Sequence, residues 1–267
     1  MKIFAMGWRR AALLSLVSLG LVWLIAPSVA ARFVPAASAE MKQAGHELFV
    51  HQWVAHDPQA HGDGLGPMHS DDSTCTFSSG SGLVTCTTTT RDGLTVTRVS
   101  KYTTTAGQVQ QARDSTTNTV VSTVTVSGTA TRRDSSKSVV SESSNQTVTG
   151  LAQGSTQRTV NGTSAGTENT TGTSSQGAFT ATRVAGDTVK GVVIPVPAST
   201  TPTYPTAGTV IRAMNATVTI TGQSPTTSSR REVITYDGSA TAKVVITHDG
   251  TTQNCTLPLP RGHLTCQ

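Results

Sequence analysis

Thr209-Val210-Ile211-Arg212-Ala213-Met214-Asn215-Ala216-Thr217-Val218-Thr219-Ile220-Thr221 is the stretch on which the fold turns. Val210, Met214, Ala216, Val218 and Ile220 share one side of an extended chain, and Ile211, Asn215, Thr217 and Thr219 lie mostly on the other. That is the period of two that a pleated strand imposes. Val, Ile and Thr branch at Cβ and suit such a surface. Downstream, Asp237-Gly238 separates two alternating runs, Arg231 to Tyr236 and Ala240 to Thr247, and predicts a hairpin. Upstream, the same alternation predicts strands over Gly93 to Tyr102, Thr119 to Arg132, Ser138 to Thr149, Thr156 to Thr163, Phe179 to Val184 and Val189 to Val196, punctuated by Gly, Asn and Asp. Thr163 to Gln176 holds no large apolar residue, and low-complexity disorder is the alternative reading there.

The four cysteines bracket these runs as two copies of C-x10-C, Cys75 to Cys86 and Cys255 to Cys266. In each copy a Thr follows the first Cys and precedes the second, and an apolar residue lies two positions inside either end. This is the symmetry of a hairpin: Thr76 opposite Thr85 and Phe77 opposite Val84, then Thr256 opposite Thr265 and Leu257 opposite Leu264. The loops would be Ser79 to Gly82 and Leu259 to Gly262. Four cysteines allow three connectivities, and Cys75 with Cys255 plus Cys86 with Cys266 would instead tie the two hairpins together.

Met1 to about Ala30 reads as a secretory signal, with Lys2, Arg9 and Arg10, an apolar run from Ala11 to Ile25, and small residues at Ser28-Val29-Ala30. The apolar run contains Ser15, Ser18 and Gly20 and falls short of the roughly 20 residues that span a bilayer, so no stable transmembrane segment is expected after cleavage. Loss of Lys2, Arg9 and Arg10 takes Lys+Arg from 20 to 17 against 15 acids, +2. No Lys/Arg cluster with interleaved aromatics occurs, so a nucleic-acid partner has no footprint. Three regions follow: 1–30 signal peptide, 31–73 short helix and His/Asp/Gly-rich linker, and 74–267 Thr/Ser/Val-rich β domain. The helix is expected over Met41 to Val54, ended by Asp57-Pro58.

Aromatic residues make up 4% of the chain, which leaves few side chains able to bury much area and argues against a thick core. The fold class is therefore all-β: an antiparallel sheet, open barrel or elongated sandwich, with a short N-terminal helix after the signal. An even cysteine number in an exported chain fits an oxidising compartment: periplasmic, cell-surface or extracellular.

Five of the seven histidines, His46, His51, His56, His61 and His69, lie within 24 residues. On a helix, residues five apart sit roughly 140° apart, so His46 and His51 cannot chelate one ion together. His56, His61, Asp63 and His69 are the candidate metal ligands, in a loop that also holds Asp57, Asp71 and Asp72. Gly162-Thr163-Ser164-Ala165-Gly166 matches G-x-S-x-G, but that motif needs a strand-to-helix turn, and no apolar helical face follows. His248-Asp249 before Gly250 reads as a turn. Sequons at Asn145, Asn161, Asn169, Asn215 and Asn254 follow from the abundance of Thr.

His46-Glu47-Leu48-Phe49, Trp53, Asp57-Pro58, His61-Gly62 and Asp63-Gly64-Leu65-Gly66-Pro67, followed by Ser73 and Cys75, resemble the segment that precedes the first haem-attachment site of bacterial di-haem oxidoreductases. That family needs C-x-x-C-H next. Cys75 is followed by Thr76-Phe77-Ser78-Ser79, so no residue inherits the haem role and no cofactor is implied. Cys75-Thr76-Phe77, Val148-Thr149-Gly150, Val193-Ile194-Pro195-Val196-Pro197 and Asn254-Cys255-Thr256-Leu257-Pro258 resemble a family of exported bacterial Thr-rich β-proteins. This second resemblance implies an exported β domain and brings no activity with it.

The expected function is that of an exported, non-catalytic binding or structural protein whose hydroxyl-covered sheet contacts envelope glycan, protein or another copy of itself. An aromatic patch around Tyr102, Phe179, Tyr204 or Tyr236 would support binding. The alternative is a carrier in which Val210, Met214, Val218 and Ile220, with Val244 and Ile246, line an apolar groove. Metal binding by the His-rich segment is a further alternative. An outer-membrane barrel needs aromatic girdles that this composition does not supply. For an enzyme, paired carboxylates in a recognisable frame, a phosphate loop and a credible nucleophile are all lacking.

Overall fold

In a computed structural model, residues 74–89, 93–132, 134–196, 203–259 and 263–267 are described. The signal segment, the expected helix and the His-rich linker lie outside them, as do His56, His61, Asp63 and His69. The described residues form thirteen strands: β1 Thr74–Ser78, β2 Leu83–Thr89, β3 Leu94–Thr104, β4 Val109–Gln110, β5 Thr117–Thr131, β6 Lys137–Thr149, β7 Gln157–Ser174, β8 Gly177–Pro195, β9 Ala207–Ile220, β10 Thr226–Thr235, β11 Thr241–His248, β12 Thr251–Pro258 and β13 Thr265–Cys266.

All belong to one antiparallel sheet in which each strand lies beside the next in sequence, except that β4 pairs only β3, whose path continues to β5. The ends of that path, β1 and β13, do not pair with each other, so the sheet is not closed into a barrel. Sequence order dictates this meander because its connections are too short for anything but antiparallel return. Three turns share one chemistry. The carboxylates of Asp114, Asp134 and Asp237 each accept the backbone N–H two residues on, at Thr116 (2.7 Å), Ser136 (3.0 Å) and Ser239 (3.2 Å). Hydroxyl and N–H donors from those residues hold all three carboxyls below the usual range.

Both cysteine pairs close locally, Cys75–Cys86 (S–S 2.04 Å) and Cys255–Cys266 (2.03 Å). The first hairpin keeps the predicted register, Thr76 opposite Thr85 and Phe77 opposite Val84. In the second, only Cys255 with Cys266 and Thr256 with Thr265 are paired. Leu257 and Leu264 pack instead against the main core, together with Leu259.

Two predicted boundaries are corrected. Phe179–Val184 and Val189–Val196 belong to a single strand, β8, and the segment for which disorder was the alternative continues β7 as far as Ser174. The reason lies in neighbouring side chains. On β7, Gly162, Gly166 and Gly172 stand opposite Gln146, Glu142 and Phe179. A Cβ at 166 would come within 3.2 Å of Glu142 Cγ, and one at 172 within 2.8 Å of the Phe179 ring. Small residues in β7 are thus the complement of large ones on β6 and β8. A composition-based reading sees only the small half of each pair.

Along β6, β7 and β11 above all, more buried residues alternate with more exposed ones, and the register carries this division across the sheet as an inner and an outer face. A row of inner residues crosses the sheet in register, Val120 beside Val148, Val160 and Val192, then Val189 beside Val210, Ile234, Val244 and Cys255. A bulge in β8 between Lys190 and Val193 brings both Val189 and Val192 inward. Gly208 (φ +106°) seats β9 against it, since a Cβ there would meet Gly191 O and Val192 Cα at 2.5 Å. Phe179, Val218 and Ile220 form a second inner cluster, and Leu94, Ala130 and Val140 a third.

Candidate functional surface

Between these apolar clusters the inner face carries a band of charge. Glu168 on β7, 3% exposed, receives Arg132 on Oε1 and Arg183 on Oε2, the latter at 2.5 Å. Arg132 also donates Nε–H to Ser138 Oγ (2.9 Å), and Ser138 bonds Thr170 (2.8 Å). Farther along, Glu232 accepts Arg230 Nε–H at 2.7 Å and pairs with Arg212 at 3.8 Å. Arg98 on β3 donates to Ser122 (3.0 Å). Burial pushes the Arg183 guanidinium below its ordinary value, and Glu168 opposes that shift. Glu142 on β6 is pushed up to about 7 by burial and by the Asp187 carboxylate, with Arg183 pulling the other way. Each acid has at least one cation within reach or in the adjoining row, Arg183 for Glu142. The band is therefore a network of opposed charges, in keeping with the rule that buried charges are paired.

The outer face is the opposite. Rows read from the register run Ser127, Ser141, Thr167, Val184, Asn215, then Thr125, Ser143, Ala165, Gly186, Ala213, then Thr123, Asn145, Thr163, Thr188, Ile211. Hydroxyls, carboxamides and short aliphatic groups fill these positions on β5 to β9, and no charged side chain interrupts them. The charges of this face stand at its margins, Lys137 at the start of β6 and Lys190 near the end of β8. Cross-strand bonds knit the carboxamides to hydroxyls: Asn145 Nδ2 donates to Thr123 Oγ1 (3.1 Å), and Thr182 Oγ1 donates to Asn169 Oδ1 (2.9 Å). All five sequon asparagines are exposed. Val139 and Val184 stand out at 54% and 47% exposure.

The proposed carrier lining is not one surface. Val210 belongs to the main core with Val189 and Ile234, while Val218 and Ile220 pack on Phe179. Between them on β9, Met214 faces Ala185 and Arg230, and Arg212 faces Asp187 and Glu232. Nor do the aromatics form an exposed patch, because Phe179 and Tyr236 are inner residues at 9% exposure each. An open depression of about 520 Å³, lined by Thr104, Gln108, Thr116 and Gln153 among others, contains no titratable side chain.

Two motifs are resolved by their surroundings. Ser164 is buried in mid-strand, where its hydroxyl accepts the Asp187 N–H (3.2 Å), so it is no nucleophile elbow. His248 and Asp249 are joined by Ser228, a residue the sequence did not single out, because the β10–β11 pairing alone brings it near. Ser228 Oγ lies 3.4 Å from His248 Nε2, and His248 Nδ1 lies 3.6 Å from Asp249 Oδ2. Both exceed the reach that proton transfer asks for. The same Asp249 oxygen also accepts the Ser228 hydroxyl at 3.2 Å, which directs that proton away from the imidazole. With its other oxygen on the Ser229 N–H (2.6 Å), Asp249 is a clamp on the β11–β12 turn. Burial raises its carboxyl, but that N–H, His248 and the serine hydroxyls hold it below the usual range.

Among the described residues, no group of three or more His, Cys, Asp or Glu is placed to hold a metal ion, and no helix is long and apolar enough to cross a membrane. No family model matches the chain, and neither a search of curated proteins nor a search of solved structures finds a match.

Proposed function

We propose that this protein is exported and works by contact rather than catalysis, laying the uncharged outer face of β5–β9 against a partner surface at the cell envelope or outside the cell. One observation carries the reading: on β5–β9 the charged groups between Lys137 and Lys190 lie on the buried face, and the exposed face between them is neutral. Soluble sheets ordinarily do the reverse, because charge on the exposed side keeps them apart from one another and from other surfaces. A broad exposed face without charge is suited to a partner that covers it. Two disulfides in a single sheet fit an oxidising compartment, the setting the N-terminal segment leads to.

The test has two parts. Unreduced native mass spectrometry of the protein from the exported fraction should give a chain that begins near Ala31 and is lighter by four hydrogens. A full-length chain retained inside the cell would refute export. Co-sedimentation with isolated envelope should then retain the mature protein, and Thr167→Lys, at the centre of the outer face, should release it. Retention unchanged by that substitution would refute the role of the face.

A further inference from the structure

We infer that the partner covering the outer face of β5–β9 is a second copy of the same chain, two sheets stacking face to face; this rests on the contact reading above and names its partner. The first argument is area. Five strands about 4.8 Å apart, each contributing about ten residues at about 3.4 Å, span roughly 800 Å². That is about the share each partner gives to a standard interface. The second is charge. A charged partner would meet a face whose centre offers it no counter-charge, since the cations lie at the margins, Lys137 and Lys190 at the strand ends and Lys101 and Arg231 on the flanking β3 and β10, and the carboxylates Glu142, Glu168, Asp187 and Glu232 lie on the inner side. Two copies of a neutral face meet without like-charge repulsion, which would otherwise cost an isologous contact between basic chains.

The third argument is side-chain size. Sheets that stack do so about 10 Å apart with interdigitated side chains. The central row is low from β6 to β9, with Ser143, Ala165, Gly186 and Ala213 after Thr125 on β5, and the rows on either side stand higher with Thr167, Val184 and Thr163. A two-fold axis that runs midway between the low row and a higher one places that higher row of each copy over the low row of the other. Short hydroxyl, carboxamide and valine side chains are the ones found in dry sheet-to-sheet contacts.

Sedimentation equilibrium of the unreduced mature chain over a wide concentration range tests this. The expected result is a reversible monomer–dimer equilibrium that both Ala165→Lys and Thr167→Glu weaken at least about tenfold, since a charge of either sign would be buried. Thr252→Lys, exposed on β12 outside the face, should leave it unchanged. Far-UV circular dichroism and free-thiol titration of each variant separate loss of docking from loss of fold. A wild-type chain that stays monomeric, or a dimer indifferent to both central charges, overturns the inference. A monomer that still sediments with envelope through this face overturns self-docking alone and leaves the contact reading standing, whereas a dimer that both central charges disrupt supports self-docking whether or not it sediments with envelope.

Discussion

Glu142 is the side chain whose ionisation the fold opposes most plainly. It faces Gly166 across the β6–β7 ladder and Val126 across β5–β6, with Asp187 repelling and Arg183 attracting its charge. Its carboxyl is raised from 4.5 to about 7, so the folded state holds a proton that the unfolded chain gives up. Stability is therefore full below about pH 4.5 and falls as pH rises through about 7, by up to roughly 3 kcal/mol. Urea melts across that window should show the decline, and Glu142→Gln should flatten it. An unchanged slope in the variant would remove Glu142 as its source. Glu168 sits between two buried guanidiniums. Glu168→Gln leaves Arg132 and Arg183 without their carboxylate and should cost about 3–5 kcal/mol, while replacing all three residues by apolar ones of similar volume should cost far less. Equal losses in the two variants would mean that packing, not charge, dominates the site.

Each terminal hairpin is held by a disulfide, and its loop is short, with cysteines 11 residues apart. Chain-entropy reasoning assigns such a loop about 2–3 kcal/mol. The two should not count equally. Cys255 is 5% exposed and packs in the main core, with Leu257 and Leu264 beside it, whereas the Cys75 hairpin adds nothing to any apolar cluster among the described residues. Replacing Cys255 and Cys266 with serine should therefore lower Tm more than replacing Cys75 and Cys86, as differential scanning calorimetry of the two double variants would measure. Equal shifts would place the effect wholly in the unfolded chain.

Across the sheet that the described residues form, the strands other than β4 gain their neighbours from successive stretches of sequence, and the apolar clusters are separated by the charged band. A meander of this kind distributes stability along the sheet in the manner of nearest-neighbour stacking. Amide hydrogen exchange should be slowest where β8 to β11 bury Val192, Val210, Ile234 and Val244, and fastest in β1 and β2. Uniform protection from β1 to β12 would mean the sheet opens only as a unit.

Alternation alone determined the class of this protein and most of its strands, and the two-fold symmetric C-x10-C pointed to local pairing of its cysteines, because both are local properties of the chain; that each pair closes locally was decided by the tertiary structure. Sequence likewise held the Asp-x-Ser and Asp-x-Thr turns, whose carboxylates act over two residues. What it could not supply were relations between residues far apart. β7 is a strand because Gln146, Glu142 and Phe179 fill the space its glycines leave. Glu168 is a buried anion because Arg132, 36 residues earlier, and Arg183, 15 residues later, arrive on the same face. Val210 and Val218 belong to different clusters because charged neighbours on β8 and β10 come between them. The partition that carries the functional reading, charge within and hydroxyls without, follows from period two in each strand. Only the register of neighbouring strands lines those periods up, so the tertiary structure decided that one face of the sheet is neutral across five strands.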